Sequence, residues 1–432
     1  MPEVEADNTP SIGPAVEPAA VSSAPFYRAP EAVRTIFVVT FAAACGPLLA
    51  GVVLFGWRAL AVASISIVSC ALIERGYYVV TRTPALLGRS HAYLTGLLLA
   101  LTLPAFVPWY VPLIAAGFAI IVGKVIFGGV GHFLWQPALV GWLAVTVVFP
   151  SVMNPESGYW SLLAREKLVT GDLTITGPPG ELRKWAETPA PANAHAFSTR
   201  PPGAILLDLS DGEQSAFSAL ALRNIPELDN LEKKTAAPTN PPDMKQIKPS
   251  VIMKMPRINE LLYGARAGAI GETCIIVIVV AGLYLVYRHY VKWQLPVAFI
   301  LSAAVVVAIA PVYLEQADGL AHRVWLPIVS EGFDVGFVYV CYQLLSGELM
   351  LAAFFLATEM TCRPTTTGGQ ILFGIGCGVL AMCLRMFLKV QFSCFMAILA
   401  MNTFTPTIDA LWRPRVLGRK PLLLRLAHRR KH

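Results

Sequence analysis

Two carboxylates stand inside apolar sequence where charge is costly. Glu348 and Glu359 lie in "LLSGELMLAAFFLATEMTCRPTTTGG", eleven positions apart. On an unbroken helix they would share a face, about 16 Å apart along the axis. Carboxylates at membrane depth usually mark an ion or proton path, so both are candidate ion-pathway groups. Glu359 falls at the end of its apolar run, where a solvated role is the alternative. A third carboxylate, Glu272, occurs in "GARAGAIGETC", where Gly264, Gly268 and Gly271 lead toward a helix. Free N–H groups at a helix start favour an anion such as phosphate. That makes Gly268, Gly271 and Thr273 candidate cofactor contacts, while Glu272 would compete with an anion or cap the helix itself.

The run "GKVIFGGVGHFLWQPALVGW" offers a different chemistry. Gly128, Gly129 and Gly131 cluster where one helix should end, and Pro137 opens the next at a favoured first-turn position. Bare glycine peptides let a ligand or another backbone approach closely, and both readings stay open. In the polar sequence between, "DGEQSAFSALA" presents the hydroxyl of Ser218 among small residues. Taken alone, that stretch is a loop with a serine in it.

The elements that must position these residues belong to a membrane. The chain has 432 residues, 55% hydrophobic and 14% charged, against about 25% charged in water-soluble domains. Apolar runs long enough for a hydrocarbon core recur at both ends of the chain. Much of the net charge of +7 sits in the basic tail "RPRVLGRKPLLLRLAHRRKH". Following an apolar block, that tail reads as a positive-inside anchor in contact with lipid headgroups, and nucleic-acid binding is excluded on the same ground. The eight cysteines form no CxxC pair and avoid the large polar stretch, which argues against a disulfide framework, a zinc site or an iron–sulfur cluster built by this chain alone.

The pattern predicts an all-α polytopic protein of about ten transmembrane helices in two five-helix halves. Spans are expected near 34–55, 58–80, 92–103, 108–126 and 137–153, then 269–287, 296–312, 333–358, 370–388 and 392–411. The corresponding divisions are a disordered N-terminal tail (1–32), a first membrane half (33–153), a polar extracytoplasmic loop (154–266), a second half (267–412) and a basic tail (413–432). An odd span count inverts the second half relative to the first, the arrangement of inverted repeats. Arg82, Arg89, Lys124, Arg288, Lys292 and the C-terminal tail fall on one side. That side should be cytoplasmic, with both termini. The third span is short and ends at Pro104, with Pro108 restarting the chain. It is either one of a pair of partial helices meeting at depth, inside protein or beside a cavity, or one arm of an ordinary tight hairpin between two spans.

These runs, in this order, resemble the RnfD/NqrB family, which holds membrane subunits of the Rnf electron-transport complex and of the sodium-pumping NADH:quinone reductase. The resemblance rests on "TGLLLALTLP", the Gly128–Gly129–Gly131 turn with Pro137 and Ala138, "GAIGET", "LLSGELMLAAFFLAT", "PTTTGGQILFGIGCGVL" and "AILAMNTFTPTID". It covers nearly all of the apolar sequence. It implies a ten-helix component of the bacterial cytoplasmic (inner) membrane, working with the other subunits of its complex. Electron transfer through flavin would be coupled to sodium or proton movement, with FMN esterified to an outer loop and riboflavin or quinone contacts elsewhere. Laid over the attachment motif, Ser218 takes the acceptor position. The motif is degenerate, because Ala216 and Phe217 stand where the family has glycine and alanine. Phe133 and Gln136 replace two asparagines, Glu359–Met360 replaces an acidic–proline pair, and Arg363 replaces a serine. The chain has no nucleotide-binding fingerprint of its own, so substrate oxidation would belong to partner subunits. The alternative from a different class is a flavin-free pore or solute transporter on the same scaffold.

Overall fold

The computed structural model describes residues 33–82, 91–128, 133–153, 258–264, 268–315, 321–324, 333–390 and 392–412. Helix dominates. α1 (Val33–Phe55) and α2 (Trp57–Thr81) are separated by Gly56, whose φ of 77° suits a residue without Cβ. α3 (Ala92–Thr102) is followed by α4 (Tyr110–Ile120), which widens into a π turn, π1 (Ile121–Val125). α5 (Pro137–Val148) opens on proline, whose missing N–H costs nothing at a first turn. The short α6 (Pro150–Met153) and α7 (Ile258–Tyr263) precede α8 (Ile275–Tyr287) and α9 (Gln294–Ile309). Among the described residues the exception to helix is one antiparallel hairpin, β1 (Val312–Glu315) with β2 (Ala321–Val324), in register Val312 to Val324.

The stretch expected as one span at 333–358 is not one helix. α10 (Phe333–Leu345) stops, and α11 (Leu349–Leu351) resumes and runs into a second π turn, π2 (Ala352–Leu356). The two arms meet at 65°. Glu348 and Glu359 therefore do not sit on one regular helical face, because a π turn lies between them. α12 (Thr367–Met386) is capped by Thr366, whose Oγ1 accepts the Gly369 N–H at 3.1 Å, and α13 (Ser393–Leu411) follows.

Among the described residues four helices are long and apolar enough to cross a bilayer: α1, α2, α12 and α13. The bent α10–α11–π2 pair would make a fifth. Their outward residues are apolar, for instance Val53 at 74% and Val80 at 82% exposure, as a lipid-facing surface requires. The chain is a helical, multi-pass membrane protein.

Close helix contact sets the interior. α3 is buried along nearly its whole length and lies against α1, α2 and α5. At Gly96 a Cβ would come 2.6 Å from the Ile67 Cα, and the Gly96 carbonyl accepts the Ser66 hydroxyl at 2.8 Å. Bare peptide faces of this kind let membrane helices approach closely. α9 and α12 meet in the same way, with Gly374 against the Leu295 carbonyl. The end of α3 is embedded in protein: the Leu101 and Leu103 carbonyls accept the Gly271 and Ile270 N–H groups at 2.9 and 3.1 Å. The carbonyls at the end of α3 are thus satisfied inside the protein.

Candidate functional site

The two π turns frame one polar junction. π1 carries Lys124, and Gly123 beside it packs on the next helix, where a Cβ would lie 2.9 Å from the Pro137 Cα. The chain leaves π1 through Gly128, at φ 100°, whose N–H bonds the Val125 carbonyl. The chain then re-enters α5 through Gln136. π2 ends at Leu356, and Ala357 and Thr358 lead to Glu359, which lies beside Gln136. From α13, Thr403 accepts the Trp135 indole N–H at 3.0 Å. That bond ties the residue before Gln136 to the residue after Asn402.

Gln136 is fully buried and its amide lies against the Glu359 carboxylate, with no hydrogen bond of good geometry at either amide atom. Asn402 is 1% exposed with Nδ2 unpartnered, and one carboxylate oxygen of Glu359 is also without a partner. Buried amides left in this state cost about 1–3 kcal/mol each unless something else bonds them. The polar residues found here, Gln136 and Asn402, were absent from the expected site set. Their signal in sequence was an amide inside an otherwise apolar run.

The second expected group is placed differently. Gly268, Gly271, Glu272 and Thr273 form a buried turn leading to α8. Glu272 Oε1 accepts the Ala269 N–H at 2.9 Å, so the carboxylate caps its own turn. Gly271 lies against Leu101, leaving no room for a side chain. This group holds the end of α3.

Among the described residues there are two buried ion pairs. Lys124 Nζ lies 2.8 and 3.0 Å from the two oxygens of Glu74 on α2, with both side chains at most 3% exposed. Lys124 is therefore an internal charge, which corrects its reading as an interfacial marker of the cytoplasmic side. Glu348 lies 3.2 Å from Arg385 on α12, also buried. Neither Glu74 nor Arg385 was among the expected site residues. Each is a charge set within an apolar run, the signal that would have found it. Ser218, Gly129 and Gly131 lie outside the described residues.

The comparisons with known proteins agree on a single group. Residues 20–418 match the family described as NQR2, RnfD, RnfE. The D-type component of the ion-translocating oxidoreductase complex of Halorhodospira halophila is 28% identical over 403 residues, covering 92% of this chain and 95% of that protein. Its counterpart in the proton-translocating ferredoxin:NAD(+) oxidoreductase complex of Clostridium ljungdahlii is 27% identical over 398 residues, covering 92% and 96%. The counterpart in the Na(+)-translocating ferredoxin:NAD(+) oxidoreductase complex of Acetobacterium woodii is 25% identical over 398 residues, covering 92% and 95%. With a match across nearly its whole length, this chain belongs to the NQR2, RnfD, RnfE family.

Proposed function

We propose that the chain is the membrane subunit of an ion-translocating oxidoreductase complex, in which flavin-mediated electron transfer is coupled to sodium or proton movement. Its partners are the other subunits of that complex and the surrounding lipid. The shorter apolar helices α3, α4, α5, α8 and α9 would join the longer ones as two five-helix halves of opposite orientation. That places both termini on the cytoplasmic face of a bacterial inner membrane and the long polar loop outside.

What supports the reading is the buried Gln136 amide beside Glu359, on the stretches of chain that follow the two π turns, together with the buried Asn402 amide on α13. Single-turn π bulges occur frequently at functional sites. A flavin or quinone held there would supply one- and two-electron chemistry. The protein's part is to offer hydrogen bonds from Gln136 and Asn402 and close backbone approach at Gly128. Covalent FMN is assigned to Ser218, the residue of "SAFSALA" in register with the acceptor. For the ion path, Glu359 and Glu272 are the carboxylates proposed, since Glu348 is bound to Arg385.

The test is co-expression with the partner subunits and the flavin transferase, followed by flavin fluorescence in a denaturing gel and by analysis of cofactor released without covalent cleavage. A fluorescent band lost in Ser218→Ala supports attachment. Failure of the chain to co-purify with any partner, combined with solute flux in liposomes containing it alone, would favour the passive pore.

A further inference from the structure

The broken span α10–α11 poses a problem that its own residues do not solve. A helix interrupted inside a membrane protein leaves carbonyls at the end of one arm and N–H groups at the start of the next helix, and each must find a partner. Here a single side-chain pair answers several of these needs. Arg385 Nη1 donates to the Gln343 carbonyl at 2.7 Å, one of the last carbonyls of α10. Its Nη2 donates to Glu348 Oε1 at 3.2 Å, and its Nε to Ser393 Oγ at 3.3 Å. Glu348 Oε1 in turn accepts the Cys394 N–H at 3.0 Å, one of the free donors at the start of α13. Gly347 makes room: a Cβ there would come 3.0 Å from Arg385 Nη2.

The C-terminal end of an interrupted helix is where membrane transporters commonly bind a sodium ion, using carbonyl oxygens and a nearby carboxylate. In this chain those same oxygens, Gln343 O and Glu348 Oε1, are taken by a guanidinium. A planar fork of donors suits them better than an ammonium would.

We infer that Arg385 and Glu348 are positioning residues, in which the tethered guanidinium stands in the place of a mobile cation at the break. Glu348 then fixes the angle between α10 and α11 and the start of α13, and translocated ions pass elsewhere. The inference goes beyond the proposed function, and only its transport readout rests on that reading.

A double-mutant cycle on the co-expressed complex tests it. Glu348→Gln and Arg385→Met each leave one buried charge or a cluster of orphan groups, so each should lower the thermal midpoint by at least ~5 °C. The double variant, which removes both charges and keeps an amide to accept the Cys394 N–H, should recover most of that loss. Ion uptake per electron transferred in liposomes should equal that of the unmodified complex. Additive losses around the cycle would overturn the pairing. A double variant that assembles and transfers electrons but takes up neither 22Na+ nor protons would overturn the exclusion of Glu348 from the ion path. Absence of ion uptake by the unmodified complex would instead count against the proposed function and leave the cycle intact.

Discussion

Lys124 on π1 and Glu74 on α2 form a buried ion pair, 2.8 Å at its shorter contact, between residues 50 positions apart in sequence. α2 also packs against α4, so the pair locks the end of α4 to its neighbour just before the chain turns through Gly128. Removing one partner strands a charge where water cannot reach it. Glu74→Gln or Lys124→Met should each cost about 3–5 kcal/mol, whereas Glu74→Leu combined with Lys124→Met should cost much less or nothing. Thermal unfolding of the purified chain in detergent reads the difference. Single losses that simply add in the double variant would show that the pair is not coupled.

The same burial sets a salt response. Exposed ion pairs weaken as ionic strength rises, but pairs enclosed in protein are screened far less. Raising sodium chloride should leave the contribution of Glu74–Lys124, obtained from the same cycle, unchanged. A coupling energy that falls steadily with salt would mean that water reaches the pair.

How much of this was legible in the sequence depends on where each cause lies. The start of α5 was readable because Pro137 acts locally, and the interruption after α3 was readable because Pro104 and Pro108 bracket it. The break at Ser346–Glu348 was not. Ser346, Gly347 and Glu348 interrupt the apolar run for only three residues, and the groups that hold the break, Arg385 and the start of α13, come from 37 to 46 residues away. Lys124 failed for a related reason: a lone lysine near the end of an apolar run looks interfacial until its partner is known. The glycine runs were noticed as candidate ligand turns, yet Gly271 serves to seat the end of α3. Close packing and ligand approach leave the same mark in sequence, since both need a missing Cβ.

Gly96 gives a packing test of the α2–α3 contact. A methyl group there would lie 2.6 Å from the Ile67 Cα and 2.8 Å from the Ser66 carbonyl, both backbone atoms that cannot rotate away. Gly96→Ala should destabilise by about 1–3 kcal/mol through overpacking, despite alanine's better helix propensity. Gly117, where a Cβ would meet nothing within 4 Å, is the control. Gly117→Ala should be neutral or stabilising by up to about 1 kcal/mol. Thermal midpoints of the two variants should move in opposite directions or differ clearly, and equal shifts would remove the contact from the account.

Gln136 and Asn402 give the prediction that bears most directly on function. If the junction exists for a ligand, its amides trade stability for binding, because unpartnered buried polar groups cost about 1–3 kcal/mol each. Gln136→Leu and Asn402→Leu should then raise the thermal midpoint of the ligand-free chain while lowering the flavin or quinone that co-purifies without covalent attachment. The two effects have opposite signs, which separates a binding role from a structural one. A purely structural amide would lower stability when removed, and cofactor content would fall only in proportion to folded protein. Glu359 lies beside Gln136, so Glu359→Gln is informative as a third variant. It should leave cofactor content close to that of the unmodified chain if Glu359 serves the ion path. It should reduce that content as strongly as Gln136→Leu if its carboxylate is instead part of the cofactor contact.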